Sequence, residues 1–279
     1  MGHRKKLPGI QMRRIARLVR RTAATLGVYK FYEKLLEEEV LSAGRIPSHI
    51  AVILDGNRRW ARERGVSCEE GYREGAERVR EFLNWCYDLG VKTVTLYTLS
   101  TENLMRRDPA EVNTLLGILR EYLKRELEVS ELVKRKVRVK ALGFLELLPP
   151  DIAIGVRELE RRTESFDERF LNVALAYGGR AEIVEATKRI AEDVSKGVLK
   201  IEEIDEKIFE RYLQTSHLPN PYPDLVIRTS GELRISNFLI WQIAYSELVF
   251  LDVYWPEFRR IDFLRALRTY QKRSRRFGA

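Results

Sequence analysis

The chain has 279 residues, 44% hydrophobic and 33% charged, so it carries apolar material for one large domain or two modest ones and is not a disordered chain. No apolar run approaches the roughly 18 residues of a membrane span, and two cysteines with three histidines build neither a disulfide framework nor a structural zinc site, which points to a reducing compartment. The net charge of +9 sits at the ends, since residues 1–21 and 263–279 are rich in Lys and Arg and hold no acid; the mildly acidic body argues against a protein built to coat nucleic acid and fits polyanion or membrane-surface contact through the ends.

From Arg13 to about Tyr32, Ile15, Leu18, Val19, Leu26 and Tyr29 recur at helical spacing with arginines between them, which predicts a basic amphipathic helix. It reads as a membrane-surface helix, a solvated charged leader or a nucleic-acid arm, and not as a cleaved signal. Residues 1–46 form this leader, and 47–279 a single domain. Strands are predicted at Ile50–Leu54, Thr93–Leu99, Val137–Leu142, Leu171–Ala176, Leu225–Arg228 and Leu248–Leu251. Helical patterns fall at about 73–89, 109–135, 151–164, 181–196, 205–213 and 261–274. Strands separated by helices imply right-handed crossovers, so the fold class is α/β: a central, mainly parallel sheet of about six strands flanked by helices. In such sheets a ligand sits beyond the carboxyl ends of the strands.

Four of those ends carry unusual sequence. The first strand releases into Asp55-Gly56-Asn57-Arg58-Arg59-Trp60. Free N–H groups at a helix start favour phosphate, glycine lets the backbone come close, arginine matches phosphate oxygens, and Asp55 can hold Mg²⁺ against them. The alternative is an Asx-type turn that only caps a helix. The second end leads into Ser100-Thr101-Glu102-Asn103-Leu104-Met105-Arg106-Arg107, either a polar site or a capping loop before Pro109. The third ends Tyr177-Gly178-Gly179-Arg180, where paired glycines suit a tight turn. The fourth places Arg228 at a strand end, then a small-residue turn, Arg234 and Ser236, a pocket for a second polyanion.

There is no Gly-x-x-x-x-Gly-Lys-Ser/Thr loop, no Gly-x-Gly-x-x-Gly and no Gly-x-Ser-x-Gly elbow, which counts against nucleotide hydrolases, dinucleotide enzymes and serine hydrolases. Two anion sites, one magnesium ligand and many apolar side chains point to diphosphate esters of an apolar group.

The segment from His49 to Ala61, with Ser100-Thr-Glu-Asn103, Tyr177-Gly-Gly-Arg180 and the run Asp224 to Glu247, resembles the signature regions of the cis-prenyltransferases, the undecaprenyl diphosphate synthase family, archaeal polyprenyl diphosphate synthases included. The likeness runs from about Pro47 to Gly278. It implies a Mg²⁺-dependent transferase that adds isopentenyl diphosphate to an allylic primer, farnesyl or geranylgeranyl diphosphate, to make a long polyprenyl diphosphate for a glycosyl carrier lipid. On that resemblance Asp55 and Glu247 bind metal, Asp55, Asn103 and Arg106 serve catalysis, and Gly56, Asn57, Arg58, Arg59, Trp60 and Tyr72 surround the allylic substrate. Arg228, Arg234 and Ser236 would bind isopentenyl diphosphate, and Arg276 and Gly278 would reach the partner's site in a homodimer.

Three positions depart from the family pattern: Cys68 replaces an arginine, Tyr72 a histidine and Leu233 a histidine, leaving Arg58, Arg62 and Arg73 as substitute phosphate donors. The predicted helix at 109–135 offers Val112, Leu115, Leu116, Ile118, Leu119, Leu123 and Leu127 as tunnel lining or ordinary core. The expected place is the cytoplasmic face of a membrane, with peripheral association and no nucleic-acid partner. Two rivals stay open: a non-catalytic partner subunit, which would tend to lose Asp55 and the arginines, and a basic-ended RNA-binding module.

Overall fold

A computed structural model describes residues 28–129 and 131–273. Most of the basic helix expected before Tyr32, and the expected roles of Arg276 and Gly278, fall outside these residues. The described chain begins with α1 (Val28–Ser42) and enters β1 (His49–Ile53), α2 (Asn57–Arg64) and α3 (Cys68–Asp88). Strand β2 (Thr93–Ser100) runs into a short α4 (Thr101–Arg106), then α5 (Pro109–Val129), α6 (Glu131–Lys134) and β3 (Val137–Leu142). The second half is α7 (Pro150–Thr163), β4 (Arg169–Tyr177), α8 (Gly179–Ser195), α9 (Glu206–Arg211), β5 (Leu225–Arg228), β6 (Glu247–Phe250) and α10 (Arg260–Lys272).

The six strands form one sheet in the order β3-β4-β2-β1-β5-β6, and every pairing is parallel. From β1 the chain moves to β2 on one side and later to β5 on the other, so the carboxyl ends of β1 and β5 flank a switch point, the crevice where such sheets bind ligands. Both faces are covered, which is why the strands read as nearly continuous apolar runs. Ile50, Val52, Leu96 and Ile227 face α1, α3 and α10, whereas Ala51, Ile53, Tyr97 and Val226 pack on Phe238, Leu239 and Ile243.

The largest cluster centres on aromatic rings. Phe82 of α3 meets Trp255 and Phe263 edge-on, with centroids 5.7 and 5.0 Å apart, and Trp255 stacks on Phe258 at 5.3 Å. Helix α1 docks on α10 through buried Leu36 and Val40, with Glu39 facing Arg268. The helical pattern therefore continues ten residues past Tyr32: Leu36 and Val40 fall four apart on one face, which the basic stripe upstream of them conceals.

Candidate active site

The β1 and β5 ends bring Asp55 against Arg228, because Ile53 pairs with Arg228 in the parallel register. Arg228 is buried; its Nη2 donates to Asp55 Oδ2 at 2.8 Å and its Nη1 to Ser236 Oγ at 2.8 Å and to the Arg234 carbonyl. Arg59, one turn into α2, donates to Asp55 Oδ1 at 3.1 Å, Ser230 Oγ at 2.6 Å and Glu232 Oε1 at 2.8 Å. Arg234 completes the group by donating to Glu232 Oε2 at 2.5 Å. Burial alone would push the Asp55 carboxyl up, but the hydrogen bond and charge of Arg228, then the charge of Arg59, outweigh it and hold the group below the usual carboxylate range. Asp55 is ionised. Thr229 Oγ1 accepts from the Asp55 N–H at 3.1 Å and donates to its carbonyl at 2.7 Å, so the bend after β1 is fixed by the strand beside it.

Gly56 caps the start of α2 without a side chain, so the N–H groups of Asn57, Arg58 and Arg59 have no helical acceptor and lie next to Asp55 in the chain, free for an anion. Its φ of 109° lies in the left-handed region, and a Cβ there would sit 2.7 Å from Tyr254 Cδ1. Glycine is required on both counts. The paired glycines at the third strand end act differently. Neither has a positive φ; a Cβ on Gly178 would lie 2.9 Å from Asn237 Nδ2 and Thr101 Oγ1, and one on Gly179 2.7 Å from Ile240 Cγ1. Space, not turn geometry, sets that pair. Asn237 uses the space to join three loops: it donates to Glu102 Oε1 at 2.8 Å, and its side-chain and main-chain oxygens accept from the N–H groups of Arg180 and Gly179.

On the other flank, Glu111 of α5 gathers Arg58 at 3.2 Å, Arg107 at 2.9 Å and the Tyr72 hydroxyl, and Arg107 also reaches Tyr72 Oη at 3.0 Å. Burial and the adjacent Glu111 carboxylate keep the Tyr72 phenol protonated. Arg106 points into solvent; Arg107 is the cation turned inward. Sequence reading missed Arg107 and Glu111, although the doubled arginine was the available signal. Arg73 lies on the outer surface with Glu69 and Glu121, away from the ring. Asn103 sits in the first turn of α4, its N–H capped by Ser100 Oγ at 3.0 Å.

Between α3, α5 and the sheet lies an apolar cavity of about 420 Å³. Asn57, Tyr72 and Arg107 border one end; Tyr87, Glu126 and Arg135 border the other. The α3 residues along it run from Tyr72 to Tyr87, a rise of about 22 Å at 1.5 Å per residue. Of the α5 residues singled out above, Leu115, Leu116, Ile118, Leu119 and Leu123 line it, and Val112 and Leu127 do not.

Other expected residues lie farther out. Trp60 is buried against Ala61 and Tyr254, with Arg64 over its ring at 4.7 Å. Glu247 pairs with Leu225 at the amino end of β5, whereas Asp55 follows the carboxyl end of β1, so the two carboxylates stand at opposite ends of the sheet within one chain. Glu247 instead accepts from Arg273 at 3.0 Å. Among the described residues no three His, Cys, Asp or Glu side chains converge on one point. One ionised carboxylate beside an anion site still suits a Mg²⁺ carried by a diphosphate, since that ion takes one or two carboxylates, phosphate oxygens and water. Among the described residues no helix is long and apolar enough to cross a membrane.

Known proteins resemble this chain in sequence and in fold. The prenyltransferase family model described as "Putative undecaprenyl diphosphate synthase" matches residues 53–278. A relative from Methanopyrus kandleri, named tritrans,polycis-undecaprenyl-diphosphate synthase (geranylgeranyl-diphosphate specific), is 51% identical over 98% of this chain and 99% of its own. One of the same name from Methanocaldococcus jannaschii is 49% identical over 90% and 89%. Among solved structures, lavandulyl diphosphate synthase from Lavandula x intermedia in complex with dimethylallyl diphosphate superposes with a TM-score of 0.80 at 36% identity, covering 84% of this chain and 98% of that one. A probable undecaprenyl diphosphate synthase from Campylobacter jejuni gives 0.68 at 28%, covering 84% and 100%. The match over residues 53–278, the relatives about half identical along nearly the whole chain and the shared fold together place it: the chain belongs to the undecaprenyl diphosphate synthase family of cis-prenyltransferases.

Proposed function

We propose that this protein adds isopentenyl diphosphate units to geranylgeranyl diphosphate, with Mg²⁺ as cofactor, to make a polycis polyprenyl diphosphate of the undecaprenyl class for a glycosyl carrier lipid. One observation carries the reading: the ionised, arginine-rich strand-end site adjoins Leu54 and Asn57, which line an apolar cavity about as long as fifteen residues of α3. The primer is taken from the two archaeal relatives, which are named for geranylgeranyl diphosphate; farnesyl diphosphate is the competing primer.

In each cycle the C1–O bond of the allylic diphosphate breaks, the terminal carbon of isopentenyl diphosphate bonds to that C1, and a proton leaves the isopentenyl C2. Diphosphate is the other product. The N–H groups of Asn57 to Arg59 and the Arg59 guanidinium would hold the departing diphosphate, while Arg228, Arg234 and Ser236 hold the isopentenyl diphosphate. Arg107 replaces the phosphate donor that Cys68 lacks, and Asn103 orients the reacting pair. Mg²⁺ held by Asp55 and phosphate oxygens would neutralise charge on the leaving group.

The proposal extends to a homodimer at the cytoplasmic face of a membrane, with the basic leader on anionic lipid and Arg276 and Gly278 closing over the partner's isopentenyl site. Incubation with labelled isopentenyl diphosphate, Mg²⁺ and primers of increasing length, with products resolved by mass, tests the core. We expect the geranylgeranyl primer to be extended most efficiently. Failure to incorporate label with any primer would overturn the reading.

A further inference from the structure

Glu232 links the two anion sites. Its Oε1 accepts from Arg59, the cation at the start of α2, and its Oε2 from Arg234, the cation of the fourth strand end. The contacts close a ring, Asp55 to Arg59 to Glu232 to Arg234 to Arg228 and back to Asp55, in which two carboxylates neutralise most of the charge of three guanidiniums. The carboxylates are not equivalent. Asp55 follows β1 directly and is fixed by Thr229 and the buried Arg228, whereas Glu232 rides on the turn after β5, where Ser230 and Gly231 both have positive φ and neither β5 nor β6 includes it. Of the two carboxylates, Glu232 is the one that can swing away, since among the described residues its side chain bonds to Arg59 and Arg234 alone.

Resting on the functional reading above, we propose that Glu232 is a built-in stand-in for substrate phosphate that couples the two diphosphate sites. A diphosphate bound at Arg234 takes over that guanidinium and repels Glu232. The turn then gives up Arg59 as well, so the second diphosphate meets a cation already released. Whichever substrate arrives first bears the cost of displacing the carboxylate, and the second does not. In the absence of substrate the same contacts hold the half-buried Arg59 beside Asp55 and tie the exposed Arg234 back to the turn. Glu232 is therefore a positioning residue, acting through two arginines and not on the reacting atoms.

The test measures binding, not turnover. Isopentenyl diphosphate and a non-reactive thiolo analogue of geranylgeranyl diphosphate are titrated calorimetrically into the full chain with Mg²⁺, each alone and each with the other saturating. The ratio of the two affinities is the coupling factor, and reciprocity requires the same factor from either direction. Direct repulsion between the diphosphates contributes to this factor in every variant, so the decisive quantity is its change. In Glu232→Gln each ligand alone should bind more tightly than to the unaltered chain, and the coupling factor should fall by about fivefold or more, the lower end of ordinary coupling energies. An unchanged coupling factor, or weaker binding of both single ligands in Glu232→Gln, overturns the proposal while leaving the functional reading standing. Absence of binding of either ligand to the unaltered chain would instead overturn the functional reading, and this proposal with it.

Discussion

Asp55 meets three demands at once: it fixes the bend after the first strand, it neutralises a buried arginine, and it stands beside the uncapped start of α2. Its Ala variant should fold, because Arg228 keeps the Arg234 carbonyl and Ser236 as partners, yet lose roughly 10²–10³ in turnover, the usual effect of removing one electrostatic stabiliser. A circular-dichroism melt beside a steady-state assay separates the two; near-normal turnover at saturating Mg²⁺ would refute the assignment. The doubled arginine gives a sharper contrast. Arg107→Ala should raise KM for the allylic primer several-fold with little change for isopentenyl diphosphate, while Arg106→Ala, whose side chain faces solvent, should leave both nearly unaltered. Equal effects of the two variants would place the inward cation wrongly.

At the scale of elements, α5 carries the boundary of the cavity. Leu119→Trp adds bulk facing that space, and we expect product lengths to shift down by several units with initial primer use retained, read by mass spectrometry of the products. An unshifted distribution would mean that the growing chain does not pass Leu119. The strands and long helices were legible because period-2 and period-3.6 apolar patterns do not depend on distant contacts, and β3 and β5 begin and end where their patterns do. The short α4 was not, since six residues starting at Thr101 are too few to show a period and are held by the Ser100 cap and by β4. The crevice residues Asp55, Arg59, Arg228, Arg234 and Ser236 announced themselves as polar groups right after buried strands. Glu111, Glu232 and Asn237 did not: each is an ordinary polar residue on a helix or turn, and its importance comes from partners 39 to 173 positions away.

Across the whole molecule, one polar chain crosses the sheet on the face away from the cavity. His49 Nε2 lies 2.8 Å from Thr95 Oγ1, Asn172 donates to the same hydroxyl at 2.9 Å, and His217 Nε2 is 3.0 Å from Asn172 Oδ1. Burial drives both imidazoles down to about 4 from an ordinary 6.5. The unfolded chain binds more protons than the folded one between those values, so this contribution is complete above about pH 6.5 and is lost as pH falls toward 4, by at most about 1.4 kcal/mol per pH unit for each histidine. Urea midpoints should therefore drop steeply from pH 7 to pH 4.5, and less so in His217→Gln; a flat profile would contradict the neutral pair. Assembly is tested by subunit mixing. Chains lacking residues 275–279 should lose turnover and regain part of it with excess Asp55→Ala chains, whereas no recovery after confirmed exchange would mean that the tail does not act across subunits. The apolar cavity also has a kinetic consequence. A pocket that gains about 0.8 kcal/mol for every methylene it covers must return the same sum when its contents leave for water, so departure slows by orders of magnitude as the chain lengthens. On the proposed function, the late step of each turnover would then be a partition between protein and surroundings, and detergent micelles or lipid vesicles, by offering a second apolar phase, should speed multiple turnovers of the longest chains while leaving single-turnover rates alone.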